Sequence, residues 1–398
     1  MLTKDLLETA QGLAPDIVSL RRAIHAEPEL GLETPKTLAK VRAALADLPL
    51  EWREGTSCTG AIATLHGAKP GRRVLLRGDM DALPLDEKTN LEFASTIEGR
   101  MHACGHDTHT AMLAGAARLL CSRREEIAGT VDFMFQPGEE GFHGARHMID
   151  DGLLDPNPDA AFALHIMPNA PFGVLAGRAG PLMAAADQFD ITVRGRGGHA
   201  SMPHDCADPV PAAAAIVSAI QAMVTRRFNA GSAVVVTVTQ IHAGTAHNVI
   251  ADDVALAGTI RTLSPHHRQK AHELIAETAT AIASAHGVEA DCKITEGFPV
   301  TNCDARAVEL GRQVAIELGG EGGWRDLGEP IMGAEDFSYV LEQVPGAMFF
   351  LGVAGEGEDW RECCAIHSPR MVVDENALPR GTAMLAGCAL KFLEEGWS

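Results

Sequence analysis

Basic residues are the scarce charges in this 398-residue chain: 33 Lys and Arg face 53 Asp and Glu, a formal net charge of −20 at pH 7. So negative a field repels phosphate backbones and anionic lipid surfaces, which argues against general nucleic-acid or membrane binding. Long apolar runs are missing too. No uninterrupted stretch of 18 apolar residues occurs, so no membrane span is expected. The opening segment through Glu8 mixes charges with apolar residues and reads as an amphipathic helix, not a signal peptide. The nine cysteines are scattered, odd in number and never spaced C-x-x-C. That pattern argues against a disulfide framework and for a reducing cytoplasm. Aromatic residues make up only 5% of the chain, with a single Tyr, whereas His reaches 17. Few rings, many imidazoles and 53 carboxylates are raw material for a metal site.

The first part of the chain alternates strand and helix signals. Val74–Met80 is an apolar run ending in carboxylates, and Thr130–Gln136 alternates before breaking at Pro137-Gly138. Ala160–Ile166 is a third short apolar run. Between the first two lies a helical pattern through Cys121, with Asp107 expected as its cap. Strands separated by helices predict an α/β domain, a mostly parallel sheet with helices on both faces. From about Leu182 the order becomes strand, helix, strand, strand, helix, strand, the pattern of a split βαβ module. The expected organisation is therefore a main domain of residues 1–181 and 293–398, interrupted by an inserted α+β (βαββαβ) satellite domain at 182–292.

Potential metal donors cluster at the ends of these strands. Asp79 and Asp81 close one run, Glu139 and Glu140 follow another, and His165 ends a third. Ligands bind at the carboxyl ends of strands in open α/β sheets, so these groups can converge. Cys104 and His106 flank Gly105 just before a helix, and thiolate plus imidazole suits a borderline ion such as Zn²⁺. His367 sits in a similar strand-to-loop setting. Each has an ordinary reading as well: a lone His is a polar tip, adjacent glutamates a solvated turn, Cys104 a buried thiol. The order in which the four strand ends carry them is what points to a site. Gly195-Arg196-Gly197-Gly198-His199 matches neither dinucleotide nor Walker spacing and reads as a flexible turn.

Leu76–Pro84, Met101–His109 and Phe135–Gly141 resemble the dinuclear metallohydrolases that include aminoacylases and carboxypeptidase G. The branch of hippurate hydrolases, N-acyl-amino-acid amidohydrolases and plant auxin-conjugate hydrolases is the more similar. The resemblance continues through Gly197–Ser201, His247–Ile250, Gly333–Phe337 and Ile366–Ser368, nearly the whole chain. It implies two divalent ions per subunit (Zn, Mn, Ni or Co), with Cys104, His106, Glu140, His165 and His367 as ligands and Cys104 between the ions. It implies Glu139 as general base and Asp81 as the carboxylate that orients its neighbours. Asp79, where other branches carry a metal-binding His, is not counted as a ligand.

The resemblance further implies that His199 reaches an active site, often a partner subunit's, and helps hold the oxyanion. Asn248 and Arg261 would recognise a substrate carboxylate, Gly333 would offer backbone to the substrate, and the subunits would pair as a homodimer through the satellite domain. A guanidinium suits bidentate carboxylate recognition, although an ordinary solvated charge is the alternative for Arg261. The expected enzyme is a cytoplasmic amidohydrolase cleaving small-molecule N-acyl-amino acids. Its rivals are a metallo-dipeptidase or carboxypeptidase on the same scaffold, a catalytically silent binding protein, and an unrelated fold with structural zinc.

Overall fold

The computed structural model describes residues 2–397, with side chains from Asp5 onward. The chain divides into two units. Residues up to Leu182, Asn302–Glu329 and the segment from Asp336 onward form the first; Met183–Thr301 and Pro330–Glu335 form the second.

The first unit is built on an eight-stranded sheet in the order Glu51–Glu54, Ala61–His66, Ala128–Gln136, Lys69–Asp79, Ala160–Met167, Gly346–Gly352, Leu175–Gly177, Trp324–Asp326. Its four central strands, from Ala128–Gln136 to Gly346–Gly352, are mutually parallel. Parallel strands need a crossover, and each central strand is buried along most of its length, as a sheet packed under helices requires. The four strands therefore release their carboxyl ends side by side along one edge.

The helix His106–Ser122 follows Lys69–Asp79 and is buried from His106 through Ala117. It does not start as the sequence suggested. The cap is Gly105 at φ +90°, while Asp107 lies inside the first turn, fully buried. Its carboxylate accepts from Arg21 Nε at 2.7 Å and lies 2.8 Å from His25 Nδ1, so it closes a buried ion cluster instead of a helix end. Gly105 is required on two counts. Its φ is in the left-handed region, and a Cβ there would meet the Ile166 side chain at 2.5 Å.

The second unit carries an antiparallel sheet, Val234–Ala243, Asp253–Thr262, Ala185–Arg194, Glu289–Phe298, with helices Pro209–Arg227 and Pro265–Ala285. This is the βαββαβ order. Phe189, Ile191, Val193, Ile216, Ile220, Ile260 and Ile275 form its core, each burial contributing about 1.5–3 kcal/mol. Pro209–Arg227 is long and apolar enough, by length and composition, to cross a membrane. Its Ala212, Ala213, Ile216, Ile220 and Met223 are buried in this core.

The chain leaves this unit later than residue 293. Lys293, Ile294 and Thr295 pair with Asp190, Phe189 and Gln188, so the last strand must run to Phe298 to complete the sheet. The segment Pro330–Glu335 also joins the second unit, because Ala184 N donates to the carbonyls of Ile331 (3.1 Å) and Gly333 (2.9 Å).

Candidate metal centre

The strand ends of the first unit bring five of the expected donors together. Cys104, His106 and His165 form one buried triad of donor atoms, and Cys104, Glu140 and His367 form a second, with all donor atoms in each within 4.8 Å of one another. Cys104 is common to both. Its Sγ lies 3.3 Å from His165 Nε2, and His367 Nε2 lies 3.3 Å from Glu140 Oε1. Glu139 Oε2 stands 3.8 Å from His106 Nε2, placing its carboxylate beside both triads.

Local chemistry explains how these side chains are held. Asp81 Oδ1 accepts from the Glu139 N–H and its Oδ2 from the Glu140 N–H, both at 3.0 Å. One carboxylate thus pins the turn that carries both glutamates. The same Oδ1 lies 3.4 Å from His106 Nδ1. The turn closes with Gly144 N donating to Gly138 O at 3.0 Å. His367 adopts φ +66°, and its N–H donates to Ala103 O at 2.7 Å, which ties it to the Cys104 loop.

The residues fit divalent ions. Both ring nitrogens of His106 and Oε1 of Glu140 are buried without a hydrogen bond, a costly state that a cation relieves. The donors, one thiol, three imidazoles and a carboxylate, are those that borderline ions take. Electrostatics sort the donors, since His106 and His367 would have to give up a proton to a bound ion whereas His165 would not. Burial pushes the Cys104 thiol up and His165 well down, so His165 stays neutral with a lone pair to give. Burial opposes a charge on His106, but Asp79 and Cys104 outweigh it and lift that imidazole well above its usual range. The Cys104 thiol and then the Glu140 carboxylate beside its ring raise His367 to about 10.

In a further donor triad, Asp79, His106 and His109, two of the three members already have other partners. Asp79 is ion-paired to Arg77 and bonded to His109 Nδ1 at 2.6 Å, while His109 Nε2 accepts the Ile166 N–H at 2.9 Å. Burial opposes the charge on Asp79, yet Arg77 and the two histidines hold its carboxyl well below the carboxylate range. Arg77 also donates to Gln136 (2.8 Å) and Asp336 (3.1 Å), and Asp336 accepts the Ala145 N–H at 2.9 Å. None of Arg77, His109, Gln136 and Asp336 was singled out by sequence reasoning. A buried arginine inside an apolar strand and a His three residues after His106 were the available signals.

The four remaining expected residues lie in the second unit, at two ends of its sheet. His199, on Gly198–His199, pairs with Val249, and Ala200 N donates to Asn248 O at 3.1 Å, so His199 and Asn248 are neighbours. Both are exposed. Arg261 is half-buried near the far end of Asp253–Thr262, opposite Ala186, and Gly333 sits beside Ala184. At about 3.3 Å per residue, the eight steps from Asp253 to Arg261 put roughly 26 Å of strand between the end from which His199 and Asn248 extend and the end that carries Arg261.

A parallel sheet whose strand ends gather thiol, imidazole and carboxylate donors around paired glutamates is the architecture of a metallohydrolase. The chain belongs to peptidase family M20/M25/M40, whose profile matches residues 75–391. It is 37% identical over 379 residues to an N-acetylcysteine deacetylase of Bacillus subtilis, covering 95% of this chain and 97% of that protein. It is 38% identical over 382 residues to thermostable carboxypeptidase 1 of Saccharolobus solfataricus, covering 94% and 95%. A solved Bacillus subtilis structure described as a dinuclear metal binding peptidase from the M20 family superposes with a TM-score of 0.84. It shares 35% identity, over 96% of this chain and 99% of that one.

Proposed function

We propose that this hydrolase cleaves the amide bond of N-acyl-amino acids, releasing a carboxylic acid and an amino acid, with two divalent ions (Zn, Mn, Ni or Co) at the centre. The observation that carries this reading is Cys104 shared by two donor triads with the Glu139 carboxylate alongside. Cys104, His106 and His165 would hold one ion, and Cys104, Glu140 and His367 the other. When bound, such ions polarise the amide carbonyl and acidify a water molecule. Glu139 takes the proton of that water and delivers it to the departing nitrogen, a task for a carboxylate adjacent to a ligand but with a separate role. Asp81 keeps Glu139 and Glu140 in register through their backbone N–H groups.

His199 would help hold the oxyanion, and Asn248, Arg261 and Gly333 would bind the amino-acid end of the substrate. An N-acyl-amino acid is too short to span roughly 26 Å of strand, so one copy's second unit cannot offer both pairs to the same molecule. That separation supports a homodimer through the second unit, with His199 and Asn248 serving the partner's centre. A reducing cytoplasm is the setting that keeps Cys104 a thiol.

The similarity to a carboxypeptidase keeps a second reading in play, a peptidase that accepts a free α-amine on the acyl side. Hydrolysis of hippurate, N-acetyl-amino acids and dipeptides by purified protein, with and without added Zn²⁺, Mn²⁺, Ni²⁺ or Co²⁺, separates the two. Glu139→Gln is expected to keep its metal content and lose about 10²- to 10⁴-fold in turnover. Substantial residual hydrolysis in that variant removes Glu139 from the mechanism.

A further inference from the structure

His109 is buried among the donors yet belongs to neither shared triad. Its ring centroid lies 4.5 Å from that of His165 and 5.5 Å from that of His106, so it is wedged between two proposed ligands. Both of its nitrogens are committed. Asp79, held by Arg77, accepts a hydrogen bond from Nδ1–H at 2.6 Å, which leaves Nε2 as the acceptor for the Ile166 N–H at 2.9 Å. The same residue's carbonyl accepts from His165 Nδ1 at 2.6 Å. That bond fixes the His165 tautomer and turns Nε2 toward Cys104 Sγ, 3.3 Å away. A second contact reinforces the link, because the Ile166 side chain packs over Gly105, the residue between Cys104 and His106.

Resting on the two-ion reading above, we propose that His109 is a positioning residue: through the Ile166 peptide it aims His165 Nε2 at the ion shared with Cys104 and His106. The hydrogen-bond order runs Arg77, Asp79, His109, Ile166, His165. An imidazole serves both ends at once, donating to a carboxylate on one side and accepting a peptide N–H on the other; the acceptor side is the one that reaches His165. The ion held by Cys104, Glu140 and His367 lies outside this relay.

Two substitutions split the two bonds. Asn places its amide near the Nδ1 position and keeps donation to Asp79; Gln reaches the Nε2 position and can accept the Ile166 N–H. The test is Co²⁺ titration of metal-stripped full-length protein, followed by visible absorption and calorimetry, with melting of the apo form measured in parallel. Wild type is expected to bind two Co²⁺ ions. In His109→Asn one of them should bind about 10- to 100-fold more weakly while the other stays within about threefold, and apo melting should be little changed. His109→Gln should recover most of the lost affinity. Two wild-type-like affinities in His109→Asn overturn the proposal, as does a loss of both ions in step with apo stability. Failure of wild type to bind two Co²⁺ ions removes the two-ion reading itself, and this proposal with it.

Discussion

Asp81→Asn changes one atom of a fully buried side chain and tests how the turn that carries Glu139 and Glu140 is held. The native carboxylate uses each oxygen for one backbone N–H, Oδ1 for Glu139 and Oδ2 for Glu140, at 3.0 Å each. A hydrogen bond to a charged group contributes roughly 1.5–3 kcal/mol net. Asparagine keeps one acceptor and replaces the other with an NH₂ group, so one of the two N–H groups faces a donor in a buried site. The expected cost is about 2 kcal/mol, equivalent to a factor of about 30 in the population of the native turn. The loss falls on the geometry of Glu139 and Glu140, not on the core. Melting should therefore drop by only a few degrees, while affinity for the ion assigned to Glu140 falls about 10- to 100-fold. Turnover should stay depressed even at saturating metal. The assays are competitive chelation for metal affinity, steady-state hydrolysis at saturating metal, and thermal melting of the apo form. Turnover and metal affinity within twofold of wild type would refute the reasoning, because the two N–H bonds would then be dispensable for the turn.

Cys104→Ser removes the donor common to both triads, so both ions should weaken together by at least about tenfold. Metal analysis after graded chelation that finds one ion held at wild-type affinity would show that Cys104 is not shared. A pH effect is expected at the buried ion cluster around Asp107. His25 is buried between Asp107 and Glu87; burial opposes its charge, but Asp107 and Glu87 together outweigh burial and lift its pKa to about 9. The folded value exceeds the unfolded value of about 6.5, so this stabilisation is complete below pH of about 6.5 and is lost as pH rises through about 9. The span corresponds to about 3 kcal/mol as an upper figure. Denaturant unfolding of the apo form at about pH 6 and about pH 9.5 should show this loss, and His25→Gln should reduce the dependence by that amount, leaving the share of the other raised histidines. Equal pH dependence in that variant would place the effect elsewhere.

Most of the donor set was legible because it is local. Cys104, His106, Glu139, Glu140 and His165 stand at or just past breaks in apolar runs, and a parallel sheet delivers such ends to one edge. What was not legible depends on partners far apart in the chain. Arg77 reads as a stray charge in a strand until Gln136, 59 residues on, and Asp336, 259 residues on, come into reach. Asp107 looked like a helix cap because local rules favour it there. Arg21, 86 residues earlier, claims it instead, since a buried guanidinium needs a carboxylate more than a helix end needs a cap. The domain boundary moved for a similar reason: Glu289–Phe298 completes an antiparallel sheet whose register no local signal at residue 293 marks.

By itself, then, the sequence determined the order of elements through short-range periodicity and offered candidate donors by residue type, and its resemblance to the metallohydrolases sorted those candidates into ligands and neighbours. Tertiary structure decided which donor atoms come within reach of one another, which carboxylate pins the glutamate turn, and that His199 and Asn248 extend from the opposite end of the second unit's sheet from Arg261 and Gly333. Those outcomes are distances through space. They are set by sheet order and strand register, and spacing along the chain does not encode them.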